Sequence, residues 1–540
     1  MSPGEDGPAE PGSGYEILET DLCTIRWKGF LFVRGCLAGK ESAARILAEW
    51  RRSGPEHALA LGKGSFALCV VEKPSQAFWY AVDSFGLMRL FVSARMVNDD
   101  FFAHIRRLGA DRECIDREAL AAFFRFGFYD RQRTLDRRIR VLAGNEIARL
   151  PAGGTVRLLQ KLTPDREAQT VPFDFDAYIR DLSLAISSER ISLDLTGGFD
   201  SRLVAASLAQ ACAPIMEAVT SGQERNRDVG IARRIAAKLG LTHVWNRHQI
   251  AGFENRARKH LHLTQGQMGI LTYDHMYQIQ TGRVSRGMTL GIGGAGGELW
   301  KDFLWLQDFP WLTGQPDFQR LYRRRLEPRK PSGAFLTPGI AASFDSAASD
   351  YMAEMHERFG RLPRTAGYDS VYAELRLPFL MGPSVTAAVG LGIPHFSPLL
   401  DREGVSFSIR RPHGERLFSR WHRHTIARVA PPLLRERTTE GLSARSGLAA
   451  VTDAPFYLAD KIGRAAQKIS QRLNLPDVVQ HAVEDPQTLG YAQRLRVSED
   501  AIERLKAFDI VSGSTGPQQL SRAALDRALT AGLTLLEMMP

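Results

Sequence analysis

The sequence predicts an α/β protein of two domains, an α+β sandwich followed by a parallel sheet with a helical C-terminal part. Its 540 residues exceed what one core organises, and 44% hydrophobic with 24% charged content is ordinary for globular proteins. Short aromatic and β-branched runs dominate the first third, a linker is predicted over Thr163–Pro172, and strands alternate with helices from about residue 175. The predicted strands there are Ile191–Leu195, Pro214–Thr220 and one that begins at Thr242, and the predicted helices are Ser201–Ala211, Ile231–Leu239 and Leu458–Leu473. We therefore expect a flexible tail over 1–14, a sandwich over 15–165, a sheet domain over 175–450 and a helical extension over 451–540.

Strand-like runs in the first third support the sandwich. Phe30–Arg34, Ser65–Val71 and Ala77–Val82 are rich in aromatic and β-branched residues and are bounded by Gly or Pro. A helical pattern covers Glu41–Arg52, and a further strand is predicted over Thr155–Leu159 after a Pro-Ala-Gly-Gly turn. The mixture predicts a small α+β unit.

Charge and cysteine content limit the ligands and the structural sites that we expect in this protein. The formal net charge is +10, which fits either a soluble basic surface or a polyanionic ligand such as a nucleotide. The densest basic runs match no nucleic-acid motif, so we expect no nucleic-acid partner. The 5 cysteines form no CxxC pair, which argues against a disulfide framework and structural zinc. No signal-like start and no long apolar run is present, so we expect a cytoplasmic protein without a membrane contact.

The most informative segment is a turn between a buried strand and a helix. Leu193–Arg202 reads Leu-Asp-Leu-Thr-Gly-Gly-Phe-Asp-Ser-Arg. Glycines let backbone amides approach an anion, and the N-terminus of the helix adds partial positive charge. Asp200 in this turn could hold Mg²⁺ against phosphates or could cap the helix. The Thr-Gly-Gly-Phe-Asp-Ser string closely resembles the SGGxDS loop of the ATP pyrophosphatase superfamily, with Thr196 in place of serine.

Further segments resemble the asparagine synthetases within that superfamily. Asp228–His243 has their acid, alanine-rich helix, Leu-Gly pair and strand histidine, and Gly291–Phe303 resembles their glycine-rich magnesium loop. Ser397–Asp401 resembles their late PFLD segment. Gly64–Ala67 with Ala81–Phe91 resembles the core of a class II glutamine amidotransferase domain. The resemblance covers about residues 25–450.

The resemblance implies an Ntn-hydrolase-like sandwich without its N-terminal cysteine, a PP-loop synthetase domain, and ATP with Mg²⁺ as cofactors. ATP would activate a carboxylate as an acyl-adenylate, and an amine would then form the amide. Magnesium would be held by Asp200 and Glu298. The residues expected to bind the nucleotide are Leu195, Thr196, Gly197, Gly198, Asp200, Ser201, Val219, Gly293 and Gly294.

The front part departs from the glutaminase pattern. Glutaminases of this class use an N-terminal cysteine, whereas this chain begins Met1-Ser2, and Cys23 and Cys36 are expected to be small buried hydrophobes. The amine would then come from the substrate itself. That combination resembles the β-lactam synthetases and the lasso peptide macrolactam synthetases, and we favour the lasso branch. Its substrate would be a small molecule or a peptide, with a precursor peptide and its maturation protease as partners.

The synthetase part departs at three catalytic positions. Gly297 stands where the magnesium loop usually has an Asp, beside Glu298. The family's lysine is absent from the segment that begins at Arg437, so Arg437 or Arg445 would supply positive charge, although a guanidinium differs from an amine. Glu374 is the candidate base for the attacking ammonium, or else a helix ion pair with Arg376 or a neighbour.

Several alternatives remain open from the sequence. Asp228 could serve the site or cap its helix, His243 is expected to be a packed core residue, and Asp401 could lie near the site or order its loop. The chain could also be a non-catalytic relative that binds a nucleotide or a partner. A third alternative is an intermolecular amide ligase that uses ammonia or another amine.

Overall fold

In the part of the chain that the structure describes, the fold consists of three β-sheets and the helices around them. The computed structural model describes these residues: 14–162, 173–222, 226–326, 333–445, 451–456, 458–459, 462 and 486–540. The predicted mixed α/β class is confirmed by parallel and antiparallel sheets with helices between them. The linker expected before residue 173 and most of the helix expected over Leu458–Leu473 lie outside the described residues.

The first third contains two antiparallel sheets. The larger has the order β1-β2-β3-β4-β8-β9, and the smaller has the order β6-β5-β7. Their strands are β1 Glu16–Glu19, β2 Cys23–Phe32, β3 Lys63–Glu72, β4 Ala77–Val82, β5 Phe91–Ser93, β6 Met96–Asn98, β7 Arg140–Val141, β8 Glu146–Leu150 and β9 Arg157–Gln160. The predicted strand over Thr155–Leu159 begins later, at Arg157, because the Val156 N–H donates to the Ala94 carbonyl in an adjacent loop (2.9 Å).

The second sheet region is a five-stranded parallel sheet with the order β12-β11-β10-β13-β14. Its strands are β10 Ile191–Asp194, β11 Ile215–Ser221, β12 His243–Asn246, β13 Leu290–Ile292 and β14 His395–Phe396. The predicted strands at residues 191, 214 and 242 are therefore confirmed within one or two residues. The chain leaves central β10 toward β11 on one side and later returns to β13 on the other. Such a reversal of strand order opens a crevice at the carboxyl ends of the strands.

Helices cover the sheets and build the rest of the chain. The predicted helices near residues 41, 201 and 231 are observed, and the first buries Ile46, Leu47 and Trp50 against the antiparallel sheet. The helices of eight or more residues are Lys40–Ser53, Phe101–Leu108, Arg117–Phe126, Phe175–Ala185, Phe199–Gln210, Arg227–Lys238, Phe253–Thr264, Ile270–Ser285, Pro338–Phe359, Arg364–Val371, Leu377–Gly390, Arg402–Arg410, Arg420–Val429, Pro486–Gln493, Arg496–Ala507 and Arg522–Met538.

The two sheet regions pack directly on each other. Phe396 of β14 contacts Phe30 and Phe32 of β2, with ring centroids 5.2 and 6.1 Å apart. Across the same boundary Lys63 of β3 donates to Asp401 (2.6 Å) and Glu403 (3.0 Å). Asp401 also caps helix Arg402–Arg410 through the Gly404 N–H, which supports its structural interpretation.

The C-terminal helices are part of the core. Helix Arg522–Met538 is buried along most of its length and joins the apolar cluster that also contains Phe123 and Ile270. Asp526 accepts hydrogen bonds from the Leu271 N–H (2.7 Å) and the Thr272 N–H (3.1 Å) at the start of helix Ile270–Ser285. These helices therefore complete the core. Among the helices that the structure describes, none has the length and apolar content required to cross a membrane.

Candidate active site

The candidate site is the turn that joins β10 to helix Phe199–Gln210. Strand β10 ends at Asp194, and the buried Leu195 continues its direction by donating its N–H to the Val219 carbonyl of β11 (2.9 Å). The helix begins after Gly198, and no side chain caps its first turn among the described residues. An uncapped helix N-terminus at the crevice of a parallel sheet presents backbone N–H groups and partial positive charge to an anion.

A second glycine loop lies against this turn. It runs from Gly293 to Gly297 after β13, and a side chain at Gly294 would lie 2.5 Å from the Ser201 N–H nitrogen. A side chain at Gly297 would overlap the carboxyl group of Asp200. Glycine at 294 therefore permits a close approach of backbone to backbone, and glycine at 297 leaves room for the Asp200 side chain. The structure thus brings the nine predicted nucleotide-binding residues to one edge of the sheet.

Several groups of the turn bond to the protein itself. The Gly197 N–H donates to Asp228 Oδ1 (2.9 Å), and the Gly198 N–H makes a longer bond to Thr196 Oγ1 (3.3 Å). Ser201 Oγ accepts from the Thr196 N–H (3.0 Å). Asp228 lies in the first turn of its helix, which Asn226 caps, so its carboxylate serves the glycine turn instead of acting as the helix cap.

The segment Arg437–Glu440 closes one side of the turn. Thr439 Oγ1 donates to Asp228 (2.6 Å), and Arg202 donates to the carbonyls of Gly197 (3.3 Å) and Arg437 (3.4 Å). The guanidinium of Arg437 itself donates to the Gly441 carbonyl and covers the Phe456 ring at 3.9 Å. The segment in which the resemblance would place the family's lysine is therefore adjacent to the glycine turn, although the Arg437 guanidinium already contacts the Gly441 carbonyl and the Phe456 ring.

Asp200 is the most strongly engaged acid of the site. Lys301 Nζ donates to its Oδ2 (2.6 Å), and His422 Nε2 lies 2.9 Å from its Oδ1. Burial acts to raise the pKa of Asp200, but the charge of Lys301 and the contact with His422 hold that pKa well below its ordinary value. Asp200 is therefore ionised at neutral pH, with a cation already beside it.

Glu298 is the other carboxyl of the glycine loop. Burial, and then the negative charge of Asp200, raise the pKa of Glu298. For Lys301, burial acts to lower the pKa, but the charges of Asp200 and Glu298 raise it above its ordinary value. Burial lowers the pKa of His422, so its imidazole is neutral near pH 7. The cluster thus contains one ion pair, a neutral imidazole and a carboxyl group that tends toward its neutral form.

This donor set does not suit a magnesium ion. Magnesium prefers several oxygen ligands, usually carboxylates and waters. Asp200 has Lys301 on one oxygen and His422 near the other, and Gly297 provides no ligand. No cluster of three or more His, Cys, Asp or Glu side chains that could hold a metal occurs in the described part of the chain. A magnesium site at Asp200 and Glu298 stays a prediction that this geometry does not favour.

The predicted catalytic residues beyond the turn have other partners. Glu374 pairs with Arg358 (2.7 Å), so the ion-pair alternative is observed with Arg358 as the partner. The Arg445 carbonyl accepts a hydrogen bond from Arg423 (3.2 Å). His243 lies within 3.1 Å of Thr220 Oγ1, and burial lowers its pKa, as for a packed histidine.

Sequence reasoning missed two groups of the site. Lys301 and His422 reach Asp200 from elements distant along the chain, and only Lys301 carried a signal, as a charged residue in a glycine-rich loop. Next to Gly293, Asp194 forms an ion pair with Arg283 and accepts a hydrogen bond from His395 (2.7 Å). Burial acts to raise the pKa of Asp194, but Arg283 and His395 hold it well below its ordinary value.

Comparison with protein families singles out the same part of the chain. Residues 183–299 match the family model described as asparagine synthase. The matched segment contains β10, the glycine turn, β13 and the second glycine loop up to Leu299. It supports the resemblance to asparagine synthetases and indicates an ATP-utilising synthetase that forms amide bonds. A search among curated proteins gives no match to this chain.

Proposed function

We propose that this protein is an ATP-dependent amide ligase that activates a carboxylate as an acyl-adenylate. The observation that carries the proposal is the uncapped glycine turn at the crevice of the parallel sheet, within the segment that matches asparagine synthase. Ligands of open α/β sheets bind at this kind of crevice, outside the carboxyl ends of the strands. The base and ribose of ATP would lie along Leu195, Val219, Gly293 and Gly294.

The phosphates would lie at the N-terminus of helix Phe199–Gln210. Its first-turn N–H groups and the hydroxyls of Thr196 and Ser201 are the nearest donors. Binding there requires the Gly198 N–H and the Ser201 hydroxyl to exchange their internal bonds for bonds to phosphate oxygens. The Gly197 N–H would stay with Asp228 and keep the turn in place.

The proposed reaction has two steps. A carboxylate oxygen of the substrate attacks the α-phosphorus of ATP, and pyrophosphate leaves with the electron pair of the broken P–O bond. An amine then attacks the acyl carbon, AMP leaves, and the amine proton passes to a carboxylate base. Holding the two reacting ends together can lower such a barrier by roughly 7–11 kcal/mol. If the carboxylate and the amine belong to one substrate and are held in the same site, the product would be intramolecular.

The finer proposal is macrolactam formation on a lasso-type precursor peptide. It rests on the front sheet region, where Cys23 begins β2 as a buried residue and Cys36 is partly buried. Burial, and then the charge of Glu72, raise the pKa of the Cys23 thiol, which disfavours a thiolate nucleophile. Without ammonia from glutamine, the amine would come from the substrate, and the partners would be the precursor peptide and its maturation protease.

Glu374, Arg437 and Arg445 remain candidates for proton transfer and charge stabilisation. Glu374 would have to leave Arg358 to accept a proton, and Arg437 would have to leave the Gly441 carbonyl. Lys301 is already at the glycine turn and is therefore the stronger candidate for the cationic role. The remaining alternative with structural support is a non-catalytic nucleotide-binding protein, since the Gly197 N–H and Asp200 Oδ2 already have partners within the protein.

Pyrophosphate release tests the proposal. Purified protein with ATP is offered candidate peptides and simple amines, and wild type is compared with Asp200→Ala and with the surface variant Lys40→Gln. We expect release that requires substrate and is at least about 100-fold slower in Asp200→Ala. Release with amines but not with a peptide that contains its own amine would select the intermolecular ligase. Nucleotide binding without release for any substrate would select the non-catalytic alternative.

A further inference from the structure

A lysine of the protein itself lies beside the glycine turn, where the phosphates would bind. Lys301 Nζ lies 2.6 Å from Asp200 Oδ2, and its side chain is about one-fifth exposed. The backbone that positions it is the short helical segment Gly297–Trp300, which follows the second glycine loop. Trp300 anchors this segment by donating to the Leu399 carbonyl (2.9 Å) and by stacking on Trp421 at 4.4 Å. Lys301 is therefore held at the turn by its neighbours and not only by its ion pair.

The surroundings of Lys301 stabilise its positive charge. The ionised Asp200 pairs with it, Glu298 lies beside it, and Glu440 adds a smaller contribution from the opposite segment. His422 Nε2 occupies the other side of Asp200, and its ring is fully buried. A divalent ion bound through both Asp200 oxygens would have to displace Lys301 from Oδ2. The fixed ammonium thus occupies one oxygen of the carboxylate in the first turn of helix Phe199–Gln210.

We propose that Lys301 supplies the cationic charge for the nucleotide's polyphosphate at this turn, in place of a divalent ion held by the protein's carboxylates. This inference rests on the proposed function, since it concerns the same nucleotide site. An ammonium has three N–H donors. One bonds Asp200, and two remain for phosphate oxygens. The uncapped N-terminus of helix Phe199–Gln210 adds its partial charge to the same anion.

We expect two properties of nucleotide binding at this turn, and each can be tested by itself. Nucleotide affinity depends on the charge at position 301 and depends little on divalent metal. The glycine at position 297 is part of the same arrangement, because a side chain there would overlap the Asp200 carboxyl group with which Lys301 pairs.

The experiment measures ATP binding to the full-length protein by calorimetry, in EDTA and in excess Mg²⁺. Wild type should bind with affinities that differ by less than about threefold, and Lys301→Gln should weaken binding in EDTA by about tenfold or more. Lys301→Arg should retain most of the affinity, and the exposed Lys40→Gln should behave as wild type.

Two outcomes would overturn the inference. In the first, wild type requires Mg²⁺ to bind ATP and Lys301→Gln binds equally well. A metal would then neutralise the polyphosphate charge, and the proposed function would be unaffected. Absence of ATP binding by folded wild type in both conditions would remove the nucleotide site and the proposed function with it. Thermal melting of each variant checks folding, and the comparison of wild-type binding in EDTA and in Mg²⁺ keeps the inference testable if Lys301→Gln fails to fold.

Discussion

The two sheet regions share one apolar boundary but use their polar groups differently. In the antiparallel region the buried polar groups order the fold, as when Asp83 accepts the N–H groups of Leu87 (3.0 Å) and Met88 (2.8 Å) within a turn. In the parallel region the polar groups converge on one edge from several elements, and Asp200, Lys301 and His422 meet beside an uncapped helix. Convergence of distant charged groups at a crevice is typical of a functional site. The difference agrees with the proposed function, in which the parallel sheet would carry the chemistry and the antiparallel sheets would support it.

The largest expected effect comes from the link between the regions. Lys63→Ala leaves Asp401, which is almost fully buried, without its cation, and breaking such a buried pair costs about 3 kcal/mol of unfolding free energy. Denaturant unfolding should show a lower midpoint in the probes of both regions. Lys73→Ala removes an ion pair with Glu19 that is largely exposed, and it should leave the midpoint unchanged. Equal midpoints for the two variants would contradict a supporting role for this contact.

Acid should destabilise the antiparallel region through His104. This histidine is fully buried, its Nδ1 lies 3.0 Å from Ser93 Oγ, and burial lowers its pKa to about 4. An unfolded histidine titrates near pH 6.5, so between pH 6.5 and 4 the unfolded chain binds more protons and stability falls as the pH falls. The loss should reach about 2 kcal/mol at pH 5. His104→Gln should flatten this part of the stability profile, whereas the exposed His57→Gln should not.

The close contact of the two glycine loops can be tested in the parallel region alone. Gly294→Ala places a methyl group against the backbone of Ser201 and should displace the glycine turn. We expect pyrophosphate release or nucleotide affinity to fall about tenfold, a change of about 1.4 kcal/mol. Gly339→Ala is the matched control, since its methyl group would meet no atom within 4 Å. Comparable losses in both variants would mean that the effect is general and not local to the site.

The smallest expected effect belongs to the cysteines of the front sheet. Cys36→Ala and Cys23→Ala should each change the rate of amide formation by less than about twofold, because neither thiol is placed for nucleophilic attack. Glutamine should also fail to serve as an amine donor. A loss of glutamine-dependent product in one of these variants would return glutaminase chemistry to the antiparallel region.

Much of the fold was available from local sequence patterns. The strands near residues 30, 65, 77, 191 and 215 were predicted because apolar, β-branched runs bounded by turn residues are typical of β-strands. Thr155 and Val156 were assigned to a strand in error, because the Val156 N–H bonds the Ala94 carbonyl, 62 residues earlier in the chain. The parallel direction of the strands in the second sheet followed from strand–helix alternation. The packing of Phe396 on β2 could not be predicted in this way.

The sequence by itself determined the glycine turn, since strand, Thr-Gly-Gly, acid and helix are consecutive and need no distant partner. Only the tertiary structure decided what surrounds Asp200. Lys301 lies 101 residues further along the chain, and His422 arrives from another helix. It also decided that Glu374 pairs with Arg358 and that Arg437 serves its own loop. The physical reason is that charge interactions depend on distance and burial in space, which sequence separation does not report.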